Sequence, residues 1–325
     1  MHELNLSADE LVKSLLNLPS ELNLCLLDSC GVSHLNSHLL IAGINPLERL
    51  EINETDAEKT LEILDEKLSQ PDLSAIVTIS YDFGLKLNRI KSRHQNLAEP
   101  DVFIALFDVL IIHDYNIKKT YLMGNKKKFN ETEKVVLNSP NSPNFTNFPN
   151  SSISSNFTRQ NYLSAIEKIQ EFIRCGNTYQ TNLTQQIRAE LPENLSPEII
   201  FQRLRKSHPA PFASFIRRNN DVVISASPER FFKVENDNIS TSPIKGTRPR
   251  GKDLVEDFKL KNELLNSGKD RAENVMIVDL LRNDLGRICE FGSVKVEKLC
   301  ELEEHSTLFH LVSTVSGKLN TNVNL

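Results

Sequence analysis

The sequence predicts a layered α+β fold, and three observations carry that expectation. Short apolar runs separated by turn residues crowd the first half, strand-like and helix-like segments mix in the second, and no internal repeat is present. At 325 residues the chain can also bury a large core, as one big domain or two ordinary ones.

Taken in order, Leu24 to Ser29 is a compact apolar run closed by polar residues, the pattern of a strand. Asp56 to Leu68 has helical spacing, with Leu61, Leu64 and Leu68 on one face. Ala75 to Tyr81 and Val109 to His113 read as strands, the second entering a turn at Asp114-Tyr115-Asn116. From about Asn130 to Phe157 the chain is rich in Asn, Ser and Pro, which predicts a mobile loop or linker too polar to form a core. Thr158 to Cys175 reads as an amphipathic helix, with Tyr162, Ile166, Ile169 and Ile173 along one stripe and Gly176 as its stop. A helix is expected around Pro197 to Ser207. Val222 to Ser227 reads as a strand, Phe231 to Val234 continues extended beyond Pro228, and Glu235 to Asn238 is turn chemistry before Ile239. Leu254 to Leu265 and Arg271 to Ile288 are two further helices, joined by Asn266-Ser267-Gly268. The expected organisation is an amino-terminal region over 1–129, a linker over 130–157 and a second region over 158–325.

Composition narrows the function classes. Charged residues make up 25% and the net charge is −5, which carries no nucleic-acid footprint. No apolar run reaches the length of a bilayer span, and the first ten residues lack the basic and apolar regions of a signal peptide. Five scattered cysteines without a Cys-x-x-Cys pair predict reduced thiols in a cytoplasmic protein, most of them small core residues and not ligands.

Two segments carry chemistry. Ser227-Pro228-Glu229-Arg230-Phe231 and Ser242-Pro243-Ile244-Lys245-Gly246-Thr247-Arg248 set an acid and an amine 16 positions apart within extended stretches. A hairpin can bring Glu229 and Lys245 together as a proton donor and a nucleophile; the same spacing also serves an exposed ion pair. Further on, Asp270 to Leu285 is an apolar helix with embedded acids. Glu273 shares a face with Ile277, while Asp279, Arg282 and Asp284 have the spacing of a structural ion-pair network. His310 sits alone in an apolar strand, a context in which a histidine is usually a satisfied core residue.

Ser-Pro-Glu-Arg-Phe and Pro-Ile-Lys-Gly-Thr-Arg-Pro-Arg-Gly resemble the central motifs of the chorismate-utilising enzymes. Within that family the lysine form of Pro-Ile-x-Gly-Thr is similar to the aminodeoxychorismate synthase component I branch; anthranilate synthases typically carry alanine at the position of Lys245. The resemblance implies an anthranilate synthase component I-like arrangement of β-sheets with flanking helices. It further implies Glu229 as general acid for the C4 hydroxyl, and Lys245 as the nucleophile that attacks C2 of chorismate before ammonia enters at C4. Partial burial or a nearby negative charge would keep the acid protonated, and Arg248 and Arg250 are candidates for lowering the pKa of the lysine, with a solvated basic loop as the alternative. Glu273 matches a magnesium ligand, so Mg²⁺ is the implied cofactor. Gly246, Thr247 and His310 match substrate-contacting positions, as does Gln180 in Gly176 to Thr184, a segment that runs from a helix into an active-site strand in relatives. Relatives that add water to chorismate have a lysine base at the position of Gln180, and an amide cannot take that role. A glutamine amidotransferase partner supplying ammonia is implied too. So is a pocket for tryptophan, lined by the segment of Ser29 and by Pro211, Phe212 and Ala213.

The family pattern continues past Val315-Ser316-Gly317 with a Gly-x-Pro-Lys motif, a second magnesium glutamate and carboxylate-binding residues, none of which follows here. The expectation is therefore an enzyme sequence with its carboxyl-terminal part missing. A non-catalytic remnant that binds an amino acid or the glutaminase is the alternative from another class, and anthranilate synthase component I the alternative within the enzymes.

Overall fold

The computed structural model describes residues 1–91, 99–139, 152–192, 195–305 and 308–323. Its strands and helices begin with β1 (His2–Leu4), α1 (Ala8–Leu16), β2 (Cys25–Asp28), β3 (Leu39–Gly43), β4 (Glu48–Ile52), α2 (Ala57–Leu68) and β5 (Ser74–Ile79). They continue with α3 (Tyr81–Leu87), β6 (Val102–Phe107), β7 (Val109–Asp114), β8 (Lys119–Gly124), α4 (Phe129–Leu137), β9 (Ile153–Ser155), α5 (Arg159–Arg174), β10 (Ile187–Ala189) and α6 (Pro197–Ser207). The remainder comprises β11 (Phe212–Arg217), β12 (Val222–Ser227), β13 (Lys233–Glu235), β14 (Asn238–Thr241), β15 (Ile244–Pro249), α7 (Leu254–Leu265), α8 (Gly268–Gly286), β16 (Lys295–Glu304) and β17 (Leu308–Lys318). Two compact units emerge, one of residues 1–141 with 204–325, the other of residues 142–203.

In the larger unit a seven-stranded sheet runs in the order β1-β8-β7-β3-β2-β11-β12, with every neighbouring pair antiparallel. Strand β2 meets β11 with Asp28 opposite Ala213, so segments far apart in sequence share one sheet. A three-stranded sheet, β4-β6-β5, packs on its face. The sequence of β6, Val-Phe-Ile-Ala-Leu-Phe, is buried at all six positions because both its faces are covered. Side chains alternate along a strand, so Phe103, Ala105 and Phe107 face Cys25, Leu110, Ile112 and Ile216 of the large sheet. Val102, Ile104 and Leu106 pack instead with Phe83 of α3 and with Ala57, Ile63 and Leu64 of α2. The close approach depends on Gly43, where a β-carbon would lie 2.6 Å from the Phe107 ring.

The third sheet of this unit is organised by β17. That strand pairs with β16 over most of its length and with β15 and β14 in succession, and β13 closes on β14. Helices α7 and α8 cover it: Leu264 meets Phe309 and Leu311, and Val278 and Leu285 meet Ile239 and Val315. In the smaller unit, β9 and β10 form a two-stranded antiparallel ladder beside α5.

The mixed α+β class and its antiparallel sheets agree with the sequence reading, and local capping accounts for the helix ends. Asp56 caps α2, Thr158 caps α5, and Gly176 follows α5 at φ +75°. Ser267 caps α8 through the Asp270 N–H and so starts that helix at Gly268, ahead of the expected Arg271. Ser80 likewise caps α3, which ends the expected 75–81 strand at Ile79.

Two expectations need correction. On α2, Leu61 and Leu68 are exposed, and the packed face is that of Ala57, Ile63 and Leu64. The stretch expected as a loop from 130 is helical to Leu137, because Phe129 and Val136 supply an apolar face that is buried. Ile153–Ser155 is a strand, and residues 140–151 lie outside the described ones. All five cysteines are free, with Cys25, Cys289 and Cys300 buried. Among the described residues no helix is long and apolar enough to cross a membrane.

His113 of β7 is 3% exposed, with Nδ1 2.8 Å from the Thr120 hydroxyl. Burial holds its pKa below the ordinary 6.5, against the pull of Asp28 and Asp114 and with that of Arg205. The unfolded chain then binds the proton more readily, so this residue's contribution is complete above about pH 6.5 and is lost as pH falls below it. Urea unfolding between pH 7.5 and 5 should show stability declining with acidification, with a shallower slope in His113→Asn.

Candidate active site

Strand β15 carries the motif residues, and its backbone departs from a regular ladder where they lie. Ile244 pairs with Val312 but Thr247 pairs with His310, so β15 holds one extra residue in this interval. Such a bulge re-aims side chains, and here it contains Lys245 and Gly246. Gly246 has φ +86°, and a β-carbon on it would lie 2.9 Å from Asp270 Cβ and 3.0 Å from Leu264 Cδ1. Only glycine satisfies both the left-handed backbone and the approach of α7 and α8.

Lys245 and Glu273 come together across the gap between β15 and α8. The amine lies 4.0 Å from Glu273 Oε1, and the two side chains are 34% and 30% exposed. Glu229 arrives differently from the expected hairpin, since β12 pairs with β11 and β13 with β14. The loop after Ser227 delivers it: Ser227 Oγ donates to the Glu229 carbonyl, and the Glu229 carboxylate accepts the Ile244 N–H at 2.9 Å. The Glu229 carboxylate is thus held at the backbone of the residue preceding Lys245. Glu229 is exposed, so the burial expected around its carboxyl is not there.

Thr247 and His310 sit opposite each other in the ladder, and Thr247 Oγ1 lies 2.9 Å from His310 Nδ1. Burial, reinforced by the His305 and His34 rings nearby, pushes the His310 pKa down to about 4, which leaves a neutral imidazole at neutral pH. His310 also lines a cavity of about 320 Å³ together with Val32, His34, Pro211, Pro228 and His305.

The arginines do not act as expected. Arg248 is held by Glu263 at 2.9 Å and Asp270 at 3.2 Å, and Arg250 by Asp257 at 2.6 Å while it stacks 4.4 Å over the Phe309 ring. Their charges are spent on acids of α7 and α8, and Lys245 is paired with the Glu273 carboxylate. Arg282 and Asp279 form an exposed pair at 2.9 Å, as their spacing suggested. Gln180 belongs to the smaller unit, exposed on an irregular stretch between α5 and β10; the regular strand begins only at Ile187. Ser29, Ala213 and Phe212 are brought together by the β2–β11 pairing, with Ser29 next to Asp28 and its Oγ buried without a hydrogen bond.

Sequence reasoning missed the polar chain behind the site. Asn274 is fully buried; its Nδ2 donates to the Leu311 carbonyl at 3.3 Å, and its Oδ1 accepts the Ser313 hydroxyl at 2.5 Å. Ser313 Oγ in turn accepts the Cys300 N–H at 2.8 Å. The signal was an asparagine inside an apolar helix, next to the glutamate already singled out.

The sequence pattern of the chorismate binding enzyme family matches residues 25–325. Aminodeoxychorismate synthase component 1 of Escherichia coli K12 is 33% identical over 278 residues, covering 82% of this chain and 61% of that protein. An anthranilate synthase component I-like protein of Synechocystis is 40% identical over 245 residues, covering 74% of this chain and 50% of that protein. The chain thus spans little more than half the length of such relatives. In structure it resembles anthranilate synthase component I from Streptococcus pneumoniae, with a TM-score of 0.74 at 24% identity over 90% of this chain and 71% of that one. The fold is also that of the menaquinone-specific isochorismate synthase from Escherichia coli, with a TM-score of 0.68 at 11% identity over 98% of this chain and 68% of that one.

The bulge makes a direct prediction. Gly246→Ala should destabilise the protein by about 1–3 kcal/mol, through the left-handed backbone and the contact with Asp270 and Leu264, as read from the urea midpoint.

Proposed function

The chain belongs to the chorismate-binding enzyme family, and on that premise we propose that its site is built for aminodeoxychorismate synthesis. One observation supports this most: the bulge in β15 places the Lys245 amine 4.0 Å from Glu273, while the Glu229 carboxylate is bonded to the adjacent Ile244 N–H. An amine at this position of the Pro-Ile-x-Gly-Thr motif favours the aminodeoxychorismate branch over the anthranilate branch.

The steps assigned to these residues balance. Neutral Lys245 attacks C2 of chorismate, the ring double bonds shift, and the C4 hydroxyl departs as water with a proton from Glu229. The new C2–N bond makes the lysine nitrogen cationic until it sheds a proton. Ammonia then attacks C4, the double bonds shift back, and the C2–N bond breaks with its electron pair passing to the lysine nitrogen. That nitrogen takes back a proton as the new C4 ammonium gives one up, so Lys245 departs as the neutral amine and 4-amino-4-deoxychorismate is formed. Thr247 and the neutral His310 offer hydrogen bonds at the edge of this space. Glu273 fits a magnesium site in its chemistry, being a part-exposed carboxylate that faces the reacting amine; Mg²⁺ takes few protein oxygens and keeps its remaining positions for water or substrate. When bound there it would offset the negative charge of a substrate carboxylate. A glutamine amidotransferase is the proposed source of ammonia, and 4-aminobenzoate for folate the proposed destination. Ser29, Pro211, Phe212 and Ala213 are proposed as part of an amino-acid pocket of the tryptophan type.

Product analysis by mass spectrometry with chorismate, Mg²⁺ and ammonium tests the reading. Aminodeoxychorismate is the expected product, and Glu229→Gln should slow its formation by about 10²–10⁴-fold, with Lys245→Ala at least as severe. Anthranilate as product, undiminished turnover in Lys245→Ala, or unchanged chorismate with a folded sample would overturn it.

A further inference from the structure

Beyond the reacting residues, three side chains that the synthase chemistry does not use converge at one point of the larger unit. His34 lies on the loop between β2 and β3, Glu303 near the end of β16, and His305 just after it. Glu303 Oε2 is 2.6 Å from His34 Nδ1 and 3.3 Å from His305 Nε2, and one donor atom from each residue lies within 4.8 Å of the others. The two imidazole rings are 5.2 Å apart at 65°. His34 is 3% exposed, and its Nε2 makes no hydrogen bond; His305 Nε2, also buried, has only its 3.3 Å contact with Glu303. A buried nitrogen left unbonded, as His34 Nε2 is, costs on the order of 1–3 kcal/mol.

We propose that His34, Glu303 and His305 form a transition-metal site of the zinc class, separate from the magnesium chemistry assigned to Glu273. Two imidazoles and a carboxylate suit zinc, whereas magnesium prefers oxygen donors. Three protein ligands leave a coordination position open, and the rings border a cavity on each side: the one of about 320 Å³ that His310 lines, and a polar one of about 450 Å³. Arg230 and Lys298 line the polar cavity, with Glu303 and Glu304 as matching negative charge, so the surroundings do not repel a cation outright. The bound ion would tie the β2–β3 loop to the junction of β16 and β17, five residues before His310. It would thus brace the wall of the cavity without touching Lys245.

Metal-free full-length chain titrated with zinc against a chromophoric chelator tests this, with cobalt absorption as a second readout. The expected result is one zinc per chain, undisturbed by millimolar magnesium, with an intense visible cobalt spectrum and a thermal midpoint that rises with zinc. His34→Ala and His305→Ala should each weaken binding by at least about tenfold, and the near-isosteric Glu303→Gln should change the cobalt spectrum even if an alanine variant folds poorly. His2→Ala, which alters a remote histidine paired with Glu133, should bind as before. Absence of stoichiometric zinc, or equal binding in His34→Ala and Glu303→Gln, would overturn the site and leave a hydrogen-bonded His–Glu–His cluster.

Discussion

Burial of Asn274 against β17 is the constraint on which the site depends. An amide without water must find partners for its donor and its acceptor, and here they are the Leu311 carbonyl and the Ser313 hydroxyl. Because both partners belong to one strand, α8 can neither rotate nor slide on the sheet without stranding a polar group. The apolar contacts of Val278 and Leu285 with Ile239 and Val315 tolerate small slippage; the amide does not. Glu273 precedes it by one residue, about 100° around the helix, and so inherits a fixed direction toward Lys245.

The same strand positions the other half of the site. β17 is paired by β16 and by β15, and the irregularity in the β15 ladder exposes Lys245 where a regular strand would keep strict alternation. Gly246 permits this bulge to lie against α7 and α8. Around it, Arg248 and Arg250 are drawn into pairs with Glu263, Asp270 and Asp257, which anchor the helices to the strand. The basic run after the motif is therefore a clamp on α7 and α8, and the partner of Lys245 is the Glu273 carboxylate.

A second electrostatic centre lies in the large sheet. Asp28, with its side chain fully buried, accepts bonds from Arg205 Nε, the Tyr115 hydroxyl and the Cys30 N–H, each at 2.7 Å. Breaking any one partner would leave a buried charge undersatisfied. This cluster joins β2, the turn after β7 and the end of α6, and it holds Ser29 beside the strand that presents Ala213.

Much of this protein was legible in its residues. Helix α5 follows from its apolar stripe and the Gly176 stop, and Gly246, Lys245 and Glu229 are marked by motifs whose chemistry is local. What could not be read was decided by long-range contact. Phe129 and Val136 become a helical face only because other parts of the fold bury them, and Leu61 is exposed because α2 turns Ile63 and Leu64 inward instead. The pairing of β2 with β11 has no local signal, since strand partners are chosen by shape and burial across nearly two hundred residues. The sequence by itself determined which groups are present and where several of the helices and strands run, but not the helix over Phe129–Leu137. Only the tertiary structure decided that Glu229 is held at the Ile244 amide beside Lys245, that the arginines face acids, and that His34 meets Glu303 and His305, because hydrogen-bond and ion-pair partners are assigned by packing in three dimensions.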